Sequence, residues 1–85
     1  MVIWKYALEV EDEQSILMPC GARLLCVQVQ NEQPCLWALV DPGSQREFRE
    51  IYTVGTGCSM PAGLVPPYVG TYQLRGGSLV FHVFG

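Results

Sequence analysis

Few side chains in this 85-residue sequence are equipped for chemistry, and their spacing decides which chemistry is open to them. Nucleophilic catalysis needs a base beside a Ser, Thr or Cys. His82 is the only histidine, and Asp41 or a glutamate would be its first partner in such a site. It stands inside Ser78-Leu79-Val80-Phe81-His82-Val83-Phe84, a segment patterned as a strand, where a lone histidine is expected to be structural. The paired carboxylates Glu11-Asp12-Glu13 crowd a turn, so solvated charge is expected there rather than acid–base work. Cysteines occur at 20, 26, 35 and 58, none in a Cys-x-x-Cys pair and all far in sequence from His82. Zinc sites use tighter spacing. No catalytic residue, metal or cofactor is expected, and the four thiols are expected to be small buried groups or free.

Ligand binding has better candidates. The chain has five cations: Lys5, Arg23, Arg46, Arg49 and Arg75. An anionic small molecule would have to use the arginines, because the guanidinium fork grips phosphate. Gly55-Thr56-Gly57 at a strand exit could present N–H groups to the same anion, although such glycines usually serve the turn. Trp4 and Trp37 could stack on a flat ligand, although tryptophans in small β proteins are mostly core. The ligand-binding candidates are therefore Trp37, Arg46, Arg49, Arg75 and Thr56.

Composition narrows the partners. Net charge is −3, and only Arg46 and Arg49 are close in sequence, which argues against DNA or RNA. The same shortage of cations argues against an anionic membrane surface, and no apolar run approaches the length of a bilayer span. Met1-Val2-Ile3-Trp4-Lys5 lacks the pattern of a signal peptide, so a cytoplasmic, reducing setting is expected. Charged residues are only 15% of the chain, against about 25% in average domains. So small a domain has much surface to cover, and that deficit points to a homo-oligomer or another partner.

The elements that must carry these residues read as strands. Residues 1–85 are expected to form a single all-β domain, an antiparallel sandwich or barrel of about seven strands arranged largely as a meander. Val2 to Val10 alternates, with Val2, Trp4, Tyr6, Leu8 and Val10 on one face. Gln14 to Met18 follows, then Leu24 to Gln30 with Leu25, Val27 and Val29 facing in. A short connection at Asn31-Glu32-Gln33 leads to Cys35 to Val40, which is apolar on both faces and so belongs at the centre of a sheet or at a subunit interface. Asp41-Pro42-Gly43-Ser44 is a turn before Arg46 to Thr56. Residues 58–67 form the one long loop, and Tyr68 to Leu74 and Ser78 to Phe84 pair around the turn Arg75-Gly76-Gly77.

Four stretches together resemble a family of small proteins without assigned activity that recurs in bacteriophage and prophage genomes. They are Ile3-Trp4-Lys5-Tyr6, Gln28 to Asn31 with Pro34 to Pro42, Gly55-Thr56-Gly57, and Gly70 to Leu74 with Gly76 to Phe84. The resemblance implies a viral setting and action by binding. Three roles fit it: sequestering a host immune signalling nucleotide between subunits as an anti-defence sponge, blocking a host protein through sheet edges, or an accessory structural part of the phage. The first is favoured by analogy, with its pocket where two subunits meet near Trp37, Arg46, Arg49 or Arg75.

Overall fold

The computed structural model of the chain describes residues 1–63 and 66–85. Among them the period-two alternation yields seven strands: β1 (Val2–Ala7), β2 (Glu13–Pro19), β3 (Arg23–Gln30), β4 (Gln33–Val40), β5 (Arg46–Gly55), β6 (Tyr68–Leu74) and β7 (Leu79–Phe84). They build two antiparallel sheets, ordered β1-β4-β3 and β2-β5-β7-β6. The chain is all-β, with its sheets in a sandwich-like arrangement. It forms a plate measuring 40 × 33 × 16 Å. Of the expected long loop, Leu64 and Val65 lie outside the described residues, and 58–63 carry no strand.

A meander is not what forms. Only β3–β4 and β6–β7 are neighbours both in sequence and in space. β1 pairs instead with β4, from Val2 opposite Val40 to Ala7 opposite Cys35, and β2 pairs with β5. β1 also ends at Ala7, short of the expected Val10. The reason is local. Leu8 drops into the core, its N–H donates to the Pro34 carbonyl, and the Gln14 side-chain amide clamps both backbone groups of Glu9. The chain thereby leaves one sheet and enters the other as β2, leaving Val10 exposed.

The core lies between the sheets. Leu36, Ala38 and Val40 of β4 are fully buried and pack with Ile51 of β5, Tyr72 of β6 and Val83 of β7. One inward assignment fails in β3. Leu24 is opposite Ala38 and Cys26 is opposite Trp37, so Leu25 is an extra residue in a bulge. The bulge flips the alternation, so Leu24 faces the core and Leu25 is exposed.

The two tight hairpins are set by turn chemistry. Asn31 and Glu32 both take positive φ, 51° and 65°, as a two-residue turn matched to strand twist requires. Asn tolerates this backbone, whereas Glu is strained in it. Glu32→Gly should therefore raise stability by about 0.5–1 kcal/mol. The check is a urea melt, where the midpoint rises at constant slope; a lower midpoint would show that Glu32 is not strained.

Candidate functional site

Side chains along a strand point alternately to opposite faces. Because Leu36, Ala38 and Val40 face the core, Trp37 and Leu39 face outward on β4. The cross-strand register carries Ile3 and Lys5 of β1 and Arg23, Cys26 and Gln28 of β3 to the same outer face. The bulge adds Leu25. This face is open: Ile3 is 59% exposed and Leu25 is exposed as well. Trp37 sits in a shallow depression of about 250 Å³ formed with Ile3, Leu25, Cys26 and Gln28. Lys5 stands directly opposite Trp37 in the ladder, and its Nζ donates to Gln30 Oε1 at 2.7 Å. The strand expected to be apolar on both faces is thus the central strand of the three-stranded sheet, with one face buried and the other uncovered.

The five sequence candidates do not converge within one chain. Trp37 lies on the outer face just described. Arg46 opens β5, where its Nη1 donates to the carbonyls of Pro42 at 3.1 Å and Ser44 at 2.8 Å. Its guanidinium also covers the Trp4 ring at 5.4 Å, an arrangement in which the ring face attracts the cation. Arg49 donates to the Ala22 carbonyl at 2.8 Å. Both guanidiniums are therefore engaged in holding the chain's own turns. Arg75 borders a cleft of about 420 Å³ between the two hairpin tips, with Val29, Glu32 and Gln73. Thr56 borders a smaller cleft of about 270 Å³ with Cys58, Ser78 and Leu79.

His82 is the centre of a hydrogen-bonded chain on the outer face of the other sheet. Its Nε2 is 2.7 Å from Thr56 Oγ1, and its Nδ1 is 2.9 Å from Thr71 Oγ1. Thr71 Oγ1 is in turn 2.6 Å from the Tyr68 hydroxyl. Strand register dictates this meeting, since Val54, His82 and Thr71 lie side by side across β5, β7 and β6. Asp41, the first carboxylate suspected as a partner of His82, serves its own turn by accepting the Gly43 N–H at 3.0 Å. The chain of hydroxyls ties three segments together and contains no carboxylate. Burial pushes the phenols of Tyr6 and Tyr72 above the ordinary value of 10.0, so both stay protonated near neutral pH.

The carboxylates Glu11 and Asp12 border a cleft of about 430 Å³ with Val54, Cys58 and Phe81. Asp12 also has a structural duty there, its carbonyl accepting the Thr53 N–H at 3.0 Å. Among the described residues no three His, Cys, Asp or Glu side chains gather as a metal site would require. No helix among them is long and apolar enough to cross a membrane.

All four cysteines carry free thiols; Cys35 is buried, whereas Cys20 and Cys58 are exposed. Cys20 Sγ lies 3.5 Å from Glu47 Oε2. The hydrogen bond to that carboxylate, and then its negative charge, hold the thiol above its ordinary value of 9.0. A raised value means less thiolate at a given pH, and thiolate is the reactive form. Glu47→Gln should therefore accelerate alkylation of Cys20 at mildly alkaline pH. Peptide mapping after timed alkylation reads this out; equal rates before and after the substitution would show that the contact is idle.

Sequence inspection missed the surface partners of Trp37. Ile3 and Lys5 were legible as the second face of β1, but only the β1–β4 register places them beside Trp37. Leu17 and Phe48 were missed as a pair. They lie directly opposite each other in the β2–β5 ladder, 50% and 69% exposed. The signal available was an apolar residue at an odd position in each strand.

Fold and surfaces together define a small two-sheet antiparallel β protein with exposed apolar side chains on both sheets. The chain belongs to the family described as Domain of unknown function (DUF7352), whose model matches residues 1–85. No curated protein and no solved structure matches it.

Proposed function

We propose that the protein is a non-enzymatic binding protein that works as a homo-oligomer, with the outer face around Trp37 as a contact surface. The observation that carries this is the open apolar face of the three-stranded sheet, where Ile3, Leu25, Trp37 and Leu39 line one side of the strands whose other side builds the core. Covering about 400 Å² of apolar surface per subunit is worth roughly 10 kcal/mol before association costs, which consume much of it. A pocket closed by a second subunit would also bring dispersed residues within reach of one ligand.

Trp37 fluorescence tests the claim. In a Trp4→Phe background Trp37 is the sole reporter. Its emission should be blue-shifted and poorly quenched by acrylamide at micromolar concentration, and should shift red on dilution. Emission that is red, freely quenched and independent of concentration would defeat the proposal.

One observation favours a more specific ligand. Trp37 offers a flat ring, and the adjacent Lys5 offers a cation, on a face whose strands carry no carboxylate. A base stacks on the first while a phosphate pairs with the second. On the bacteriophage resemblance, that ligand is a host immune signalling nucleotide held between subunits. A thermal-shift screen with cyclic di- and trinucleotides should then show one class that stabilises the protein, with the shift lost in Trp37→Ala. No shift with any nucleotide would remove this reading and leave the oligomer standing.

A further inference from the structure

We propose that the protein assembles head to tail, the outer face of the β1-β4-β3 sheet in one copy docking on the β2–β5 face of the next. The inference rests on the self-association proposed above and adds its geometry. The two faces are complementary in charge and alike in apolar content. Around Ile3, Leu25 and Trp37, the ionised side chains projecting from the strands are Lys5 and Arg23. Around Leu17 and Phe48, alternation places Glu13, Glu50 and Arg46 on the same face, but the Arg46 guanidinium is drawn to the Pro42 and Ser44 carbonyls and the Trp4 ring, which leaves Glu13 and Glu50 as the remaining charges.

Within the chain two of these charges, Lys5 and Glu50, meet neutral partners. Lys5 is held by the Gln30 amide oxygen, and Glu50 accepts from the Ser15 hydroxyl. Both therefore remain available to an opposite charge from outside. Two copies meeting through the same face would oppose Lys5 and Arg23 to their own kind, or Glu13 and Glu50 to theirs. Like-charge juxtaposition at an interface is costly, whereas opposed faces gain from steering.

The complementary surfaces lie on different sheets, on the two broad sides of a plate only 16 Å thick. A contact between unlike patches is heterologous, so it repeats from copy to copy and gives a string or a ring instead of a closed dimer.

The test uses one blocking substitution per face. Ile3→Glu places a carboxylate on the cationic face, and Phe48→Lys places a cation on the anionic face. Both residues are among the most exposed in the chain, so circular dichroism melts should match the wild type. Wild type should grow beyond a dimer as concentration rises, and the growth should weaken at least tenfold when salt increases from about 0.05 to about 0.5 M. Each variant alone should be a monomer of 9.4 kDa. Mixed in equal amounts they should form a one-to-one dimer and stop there, because each then presents one competent face. If Ile3→Glu is monomeric while Phe48→Lys still dimerises, the contact is isologous; the head-to-tail inference fails and self-association stands. If the mixture stays monomeric, or if both variants assemble like wild type, the inference also fails. A wild type that is monomeric throughout overturns both.

Discussion

Leu36→Ala should cost about 2–5 kcal/mol of folding stability, the range for truncating a buried leucine. Leu36 is fully buried at the middle of β4, between Tyr6 of β1 and Val27 of β3 in the ladder, and it packs into the cluster that joins the two sheets. Its neighbours are fixed in strands on both sides, so the cavity left by three missing carbons cannot collapse fully. An 85-residue chain has only about 5–15 kcal/mol in total, so the loss is a large share. At about 4–8 °C per kcal/mol for a domain of this size, the melting temperature should fall by at least about 8 °C. Urea unfolding should show the midpoint falling with an unchanged slope. A loss below about 1 kcal/mol would mean that β4 is not the centre of the core.

Gly70→Ala should cost about 1–3 kcal/mol, although it adds only one methyl group. β3 of one sheet runs beside β6 of the other, and Gly70 of β6 packs against Val27 of β3. A Cβ placed there would lie 2.8 Å from Val27 Cγ2 and 3.4 Å from the Val27 backbone nitrogen. Valine is branched at Cβ and stiff about χ1, so its methyl cannot swing clear. The strands would have to part, opening the seam. Combining Gly70→Ala with Val27→Ala removes the struck methyl, so the double variant should be more stable than the two single losses added together. A coupling of about 0.5–3 kcal/mol is expected, and simple additivity would show that the two residues are not in contact.

The parts of this fold legible in the sequence are those fixed by short-range rules. Strand positions followed from alternation, and the hairpins β3–β4 and β6–β7 from Asn31-Glu32 and Arg75-Gly76-Gly77. What failed were the long-range pairings. β1 joins β4 because Leu8 and Gln14 redirect the chain, and nothing in the residues 9–13 themselves announces the change of sheet. The bulge at Leu25 was hidden for a similar reason. Arg23-Leu24-Leu25-Cys26 has apolar residues at both parities, so an inserted residue leaves no mark on the pattern.

The candidate site divides the same way. That β4 is apolar on both faces was legible from Cys35 to Val40, and its outer face is open in the structure. Arg46 and Arg49, close in sequence, do not project together. Residues three apart in a strand project to opposite sides, so closeness in sequence separates them in space. One is drawn to the Pro42 and Ser44 carbonyls and the other to that of Ala22. The hydroxyl chain through His82 required the β5–β7–β6 register and could not be read from any single segment.

Sedimentation equilibrium over a wide range of protein concentration tests most directly whether the open apolar face is a contact surface. Wild type should sediment above 9.4 kDa at micromolar concentration, and Leu25→Asp, altered at an exposed bulge position on that face, should return to 9.4 kDa with an unchanged melting curve. A wild-type mass of 9.4 kDa at every concentration, or a Leu25→Asp variant as associated as wild type, would contradict it.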